Sequence, residues 1–285
     1  MIRIARRDFV RGAAAAAILG FCPGLRSQPA TVPTKRYKIA AADIMLLKRQ
    51  KLGAMQLAHD CGLNGVEVDL GSLGKRPEFA NELRKPELRE QYLEASKKLN
   101  VEICSIAMSA FYGQSFTEHP NAEALTRDLV ETMTNMGVKV GFIPLRPKGG
   151  NVVDTMKQIA PIAQKAQLVL GIEIPLDAQG QKKLIDDIAS PAIKAYYHTG
   201  NMLENGYDLY EGLRILGKDR ICQIHLSGPD KQWLEEGPID VPKVKSILDE
   251  IGWSGWLVLE RSRREGKSVK ENFSINASYL KKVFS

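Results

Sequence analysis

Four residues of metal-binding type, Glu173, His198, His225 and Glu260, follow one another at intervals of 25, 27 and 35 residues. Each stands at the end of an apolar run. Val169-Leu170-Gly171-Ile172 leads into Glu173, Ile193 to Tyr197 into His198, Ile221 to Ile224 into His225, and Trp256-Leu257-Val258-Leu259 into Glu260. A carboxylate or imidazole closing a buried strand is costly to desolvate unless it is paired or bound to metal. Taken singly, such a residue is more often a hydrogen-bonded core or rim group; the succession of four points to one shared divalent ion. Two carboxylates and two imidazoles, with positions left open for substrate oxygens, suit Mn, Co, Zn or Fe.

Residues so spaced reach a common rim only if each interval holds one strand and one helix. From Tyr37 onward, β-branched and aliphatic runs alternate with longer segments of helical period. The strands are predicted at residues 38–42, 65–68, 101–106, 138–143, 169–173, 193–197, 221–225 and 256–260. Between them, Val153, Met156, Ile159, Ala160, Ala163 and Ala166 make one apolar helical face, and Asp240 ahead of Val241-Pro242 predicts a helix N-cap. Eight such units in about 250 residues match a single α/β domain, a (β/α)8 TIM barrel over residues 31–285, with its working groups where strands end and loops begin. An open doubly wound sheet is the runner-up, but no Gly-x-Gly-x-x-Gly turn follows the first strand. Pro147-Lys148-Gly149-Gly150 reads as a loop between strand and helix.

Residues 1–30 stand apart from this pattern. Arg6-Arg7-Asp8-Phe9 precedes the short apolar run Ala13 to Leu19, the layout of a twin-arginine-type signal peptide, with Ala5 where Ser or Thr is usual. The run is too short to span a bilayer, so no membrane span is expected after removal near Ala30. An arginine-led helix capping the barrel is the alternative. The first reading implies periplasmic export, and a non-functional signal would leave the protein cytoplasmic. Without residues 1–30 the formal charge falls from +7 to +3, and what remains forms no basic stripe with interleaved aromatics, so nucleic acid is not implied. Cys61, Cys104 and Cys222 lie in apolar segments at wide spacing and read as buried thiols. A homo-oligomer is compatible with the chain.

Gly171-Ile172-Glu173-Ile174-Pro175, His198-Thr199-Gly200-Asn201, Gln223-Ile224-His225-Leu226, Gly237-Pro238-Ile239-Asp240 and Gly255 to Glu260 resemble the sugar phosphate isomerase/epimerase family of the xylose isomerase-like TIM barrels. The resemblance is clearest over residues 165–262. It implies a metal held by Glu, Asp, His and Glu from strands five to eight, with the two Glu residues flanking a carbohydrate substrate. His198 stands where that pattern has Asp, which removes one negative charge and shifts the expected preference toward Zn, Co or Fe.

The implied reaction is isomerisation or epimerisation through a metal-stabilised enediolate, with Glu173 and Glu260 moving the proton next to the carbonyl. Transfer across opposite faces inverts the carbon; transfer on one face interconverts aldose and ketose. For the rest of the pocket, Glu67 is expected to bind a sugar hydroxyl or to hold rim amides. Phe111, Tyr112 and Trp233 are expected to stack on the ring or close over it, and Arg146 or Lys231 to receive an anionic group or remain solvated. Asn201 is expected beside the substrate. A metal-dependent lyase or hydratase acting on 3-keto sugars or glycosides and a non-catalytic sugar-binding barrel are the alternatives. With four His in all, a three-zinc apurinic endonuclease site is disfavoured.

Overall fold

The computed structural model describes residues 36–146 and 151–285. The leader expected at residues 1–30 and the loop expected at residues 147–150 lie outside the described residues. Among the described residues, eight parallel strands close into a barrel in sequence order. They are β1 (Tyr37–Ala42), β2 (Gly65–Asp69), β3 (Glu102–Ala107), β4 (Val140–Pro144), β5 (Val169–Glu173), β6 (Ile193–His198), β7 (Ile221–His225) and β8 (Gly255–Leu259). The barrel shuts where β1 pairs with β8, Lys38 opposite Trp256 and Ala41 opposite Leu259. Closure leaves no free sheet edge.

The helices are α1 (Asp43–Leu46), α2 (Gly53–Asp60), α3 (Pro86–Leu99), α4 (Ala122–Met136), α5 (Val152–Lys165), α6 (Ala178–Ile188), α7 (Thr199–Glu204), α8 (Leu209–Arg220), α9 (Val241–Glu250) and α10 (Val269–Val283). The apolar face predicted for α5 is the buried one, with Met156, Ile159, Ala160 and Ala163 turned to the sheet. Asp240, predicted as an N-cap, accepts from the Lys243 amide, and other helices start in the same way: Asn151 accepts from the Asp154 amide, Asp177 from Gly180, and Ser268 forms a reciprocal box with Glu271. Cys61, Cys104 and Cys222 are free thiols.

The barrel interior is only partly apolar. Ala40, Cys104, Phe142, Tyr196 and Val258 pack there as one cluster. Glu67, Ser105, Gln223 and His225 share that space, each buried. Burying them demands hydrogen-bond partners for every polar atom, and those partners organise the site above.

Candidate metal centre and active site

The register of β6 against β7 sets His198 directly opposite His225. With Glu173 closing β5 and Glu260 following β8, the four sequence-predicted ligands arrive at one rim, all buried. Ligand-type atoms of Glu173, His198 and His225 lie within 4.8 Å of one another. Glu173 Oε2 is 2.8 Å from His225 Nδ1, and Glu260 Oε2 is 2.8 Å from His198 Nε2.

Each carboxylate divides its oxygens. The Oε2 atoms face the histidines, while Glu173 Oε1 and Glu260 Oε1 both accept contact from the single Tyr112 hydroxyl, at 3.1 and 3.0 Å. Asn201 Nδ2 also donates to Glu173 Oε1 at 3.0 Å. Tyr112 and Asn201 thus both touch this cluster. Phe111, one position earlier, is fully buried, edge-on to Phe79 and Phe116, and cannot stack on a ligand. The turn at Ser109–Tyr112 sends one aromatic into the core and the next over the site.

That turn is held by Asp69, at the end of β2, which the sequence reading passed over. Asp69 Oδ2 accepts the Ser109 amide at 3.2 Å and its hydroxyl, while Oδ1 takes the Gly71 amide and the Arg49 guanidinium. Three rim loops thus hang on one buried carboxylate. Arg146 donates to the Tyr112 carbonyl at 2.9 Å and so braces the same turn from outside.

Glu67 is placed differently from a sugar-binding group. It is buried, with Oε2 accepting from Ser105 at 2.8 Å and from Tyr196 at 2.7 Å, and Oε1 lying 3.3 Å from His225 Nε2. Tyr196 also bonds Gln223, whose amide donates to the Cys104 carbonyl. Both Glu67 oxygens are engaged by protein groups, Oε1 by His225. Trp233 and Lys231 also lie elsewhere. The Trp233 indole donates to Asn272 on α10 under the Arg264 guanidinium, and Lys231 lines a separate surface hollow with Arg263 and Arg264. Loop aromatics and cations are free to fold outward, and only the tertiary partners decide.

Burial would lower the His225 imidazolium, but the charges of Glu67 and Glu260 and the bonds to Glu173 and Glu67 outweigh it and hold its pKa well above the ordinary value. Burial would raise the Glu260 carboxyl; the His225 charge and the His198 bond reverse this and hold it below the usual carboxylate range. Burial and the two flanking glutamates push the Tyr112 phenol well up, so it stays a donor.

The donor set fits a divalent cation. Three buried carboxylates, Glu67, Glu173 and Glu260, surround the two buried imidazoles, an acid-rich donor set of the kind that a cation balances. His225 also has the arrangement common to histidine ligands, with one nitrogen turned to a carboxylate and the other to the site.

A cavity of 290 Å³ opens onto Glu173, His198, Asn201 and Glu260, walled by Ile44, Met45, Tyr112 and an Arg261–Glu204 ion pair. Arg261 was not anticipated, although its position directly after Glu260 marks it as a rim residue. A larger hollow of 650 Å³ lies around Arg36, Asn64 and Phe284, at the N-terminal ends of the strands. The smaller one is the candidate active site, because barrel chemistry gathers at the C-terminal strand ends.

The profile of a family described as xylose isomerase-like TIM barrel matches residues 55–283. No curated protein matches the sequence. Among solved structures, D-allulose 3-epimerase from Methylomonas sp. in complex with D-allulose is 13% identical at a TM-score of 0.68, covering 87% of this chain and 98% of its own. A 3-keto-D-glucoside 4-epimerase from E. coli is 14% identical at 0.68, covering 86% and 99%. A sugar phosphate isomerase/epimerase from Parabacteroides distasonis is 15% identical at 0.68, covering 89% and 95%.

Proposed function

The chain belongs to the xylose isomerase-like TIM barrel family, and we propose that it is a metal-dependent sugar epimerase or isomerase acting on an unphosphorylated ketose or 3-keto glycoside. The observation that carries this reading is the pair of oxygens Glu173 Oε1 and Glu260 Oε1 meeting at one hydroxyl, Tyr112 Oη, over the cavity floor. At the Glu173, His198, His225 and Glu260 cluster a bound divalent cation would supply Lewis-acid polarisation of a carbonyl next to the carbon that loses its proton.

The chain's own groups do the rest. Glu173 and Glu260 each keep Oε2 on a histidine and turn Oε1 to the cavity, where one removes a proton and the other returns it. Asn201 fixes Glu173 Oε1, and Tyr112 holds the place that a substrate hydroxyl takes between the two oxygens. Ile44 and Met45 exclude water from one wall.

The twin-arginine-type leader at residues 1–30 supports export, which is why free or glycosidic sugars are favoured over phosphorylated ones. A fusion of residues 1–40 to a reporter that works only in the periplasm checks this. The reaction itself is tested by incubating the metal-loaded protein with D-allulose, D-fructose and 3-keto-D-glucose in deuterated water. Deuterium entering a carbon next to the carbonyl without loss of a group supports the proposal. Elimination would make the protein a lyase, and binding without exchange would make it a sugar-binding barrel.

A further inference from the structure

The two site histidines differ in their neighbours. Both His225 nitrogens face acceptors, Nε2 Glu67 Oε1 and Nδ1 Glu173 Oε2, so Nε2 can keep its proton on Glu67 while Nδ1 gives up its own to free a lone pair for a metal. His198 Nδ1 faces a donor, the backbone amide of Asn201, at 2.9 Å. A backbone N–H only donates, so His198 Nδ1 is the bare nitrogen and Nε2 carries the proton. That proton points at Glu260 Oε2, 2.8 Å away.

A ring nitrogen that holds a proton has no lone pair for a metal. If Nε2 lost its proton while Nδ1 went on accepting from Asn201, the ring would become an imidazolate. If Nδ1 took the proton instead, two N–H groups would face each other and the N-cap of α7 would be lost. Turning the ring over would set carbon against both partners. The ring packs closely over Gly200, where a Cβ would stand only 2.9 Å from His198 Cε1.

We propose that His198 is not a metal ligand but a positioning residue, an N–H donor fixed by the α7 cap that aims Glu260. The metal centre then has three protein ligands, Glu173, His225 and Glu260. This rests on the metal-dependent reading of the site given above. Three ligands leave more of the coordination sphere to water and substrate than four would.

The test uses the full chain with histidines labelled in nitrogen-15, loaded with Mn(II) for pulsed electron paramagnetic resonance and with Zn(II) for nuclear magnetic resonance. The expected result is hyperfine coupling to one imidazole nitrogen, and a His198 ring that keeps its Nε2–H form with and without zinc. His198→Gln, which retains a donor toward Glu260, should bind Mn(II) within about tenfold of wild type, and His198→Ala should lose about 10–100-fold. His198→Asp, which places a carboxylate there, should bind Mn(II) more tightly than wild type. Two coordinated imidazoles, or loss of metal in His198→Gln as complete as in Glu173→Gln, would overturn the assignment. A protein that takes up no metal at all would overturn the metal-dependent reading and this assignment with it, a result distinct from two coupled nitrogens.

Discussion

His225 Nε2 lies 3.3 Å from Glu67 Oε1, so this buried carboxylate backs the histidine proposed as a metal ligand. The same Glu67 is anchored by Ser105 on β3 and Tyr196 on β6, which makes the aim of His225 a property of the closed barrel. Partners of this kind typically change metal affinity by about 10–100-fold when removed. Glu67→Gln should therefore weaken Mn(II) binding by about that factor while leaving the circular dichroism spectrum unchanged. An unaltered dissociation constant would show that His225 needs no such support.

The charge on His225 makes metal binding a competition with a proton. Its imidazolium is held well above the ordinary histidine range by Glu67, Glu260 and Glu173, against the effect of burial. At neutral pH the metal must displace the Nδ1 proton, so affinity should strengthen as pH rises, by about tenfold per pH unit while His225 remains protonated. Calorimetry in buffers of different ionisation enthalpy should count about one proton released per metal bound. No release would show that His225 is neutral before the metal arrives.

Tyr112 stands between Glu173 Oε1 and Glu260 Oε1, the oxygens proposed to move the proton, and on that proposal a substrate hydroxyl takes over its hydrogen bonds. Tyr112→Phe should cost the free protein about 1–2 kcal/mol, as expected for a lost bond to a charged acceptor at a partly open site. Sugar binding no longer competes with the phenol, so KM should fall while kcat changes less. A rise in KM would mean that the hydroxyl stays and binds the sugar directly.

The division between what the sequence shows and what it hides follows from the barrel. Buried parallel strands must be β-branched runs, so β5 to β8 and the polar residues closing them stand out by composition and spacing. Ser105, Tyr196 and Gln223 do not, because their partners lie on strands up to 129 residues away, as for Tyr196 and Glu67. Phe111 and Tyr112 are adjacent aromatics in one loop, and which of them faces the site depends on the anchor at Ser109. Trp233 is claimed by Asn272 on α10, a contact with no local signature. The three-residue step from His198 to Asn201 is a capping interval legible in advance, yet its consequence for the ring proton needs the observed orientation.

A buried acid outside the site gives the last expectation, a pH dependence of stability. Burial, assisted by the charge of Asp69, pushes the Asp43 carboxyl up to about 8. A folded value above the unfolded one means the fold prefers the protonated form, so this contribution is whole below about pH 4 and is lost as pH rises toward 8. Asp69, raised to about 6 by burial, acts in the same direction over the lower part of that window. The melting temperature should therefore fall between pH 5 and pH 8.5. Asp43→Asn keeps an oxygen for the Gln50 amide, now 2.9 Å from Asp43 Oδ2, and removes the charge that burial penalises. That variant should unfold at a higher temperature than wild type at pH 8.5 and show a flatter profile. Parallel profiles for the two proteins would assign the titration to another group.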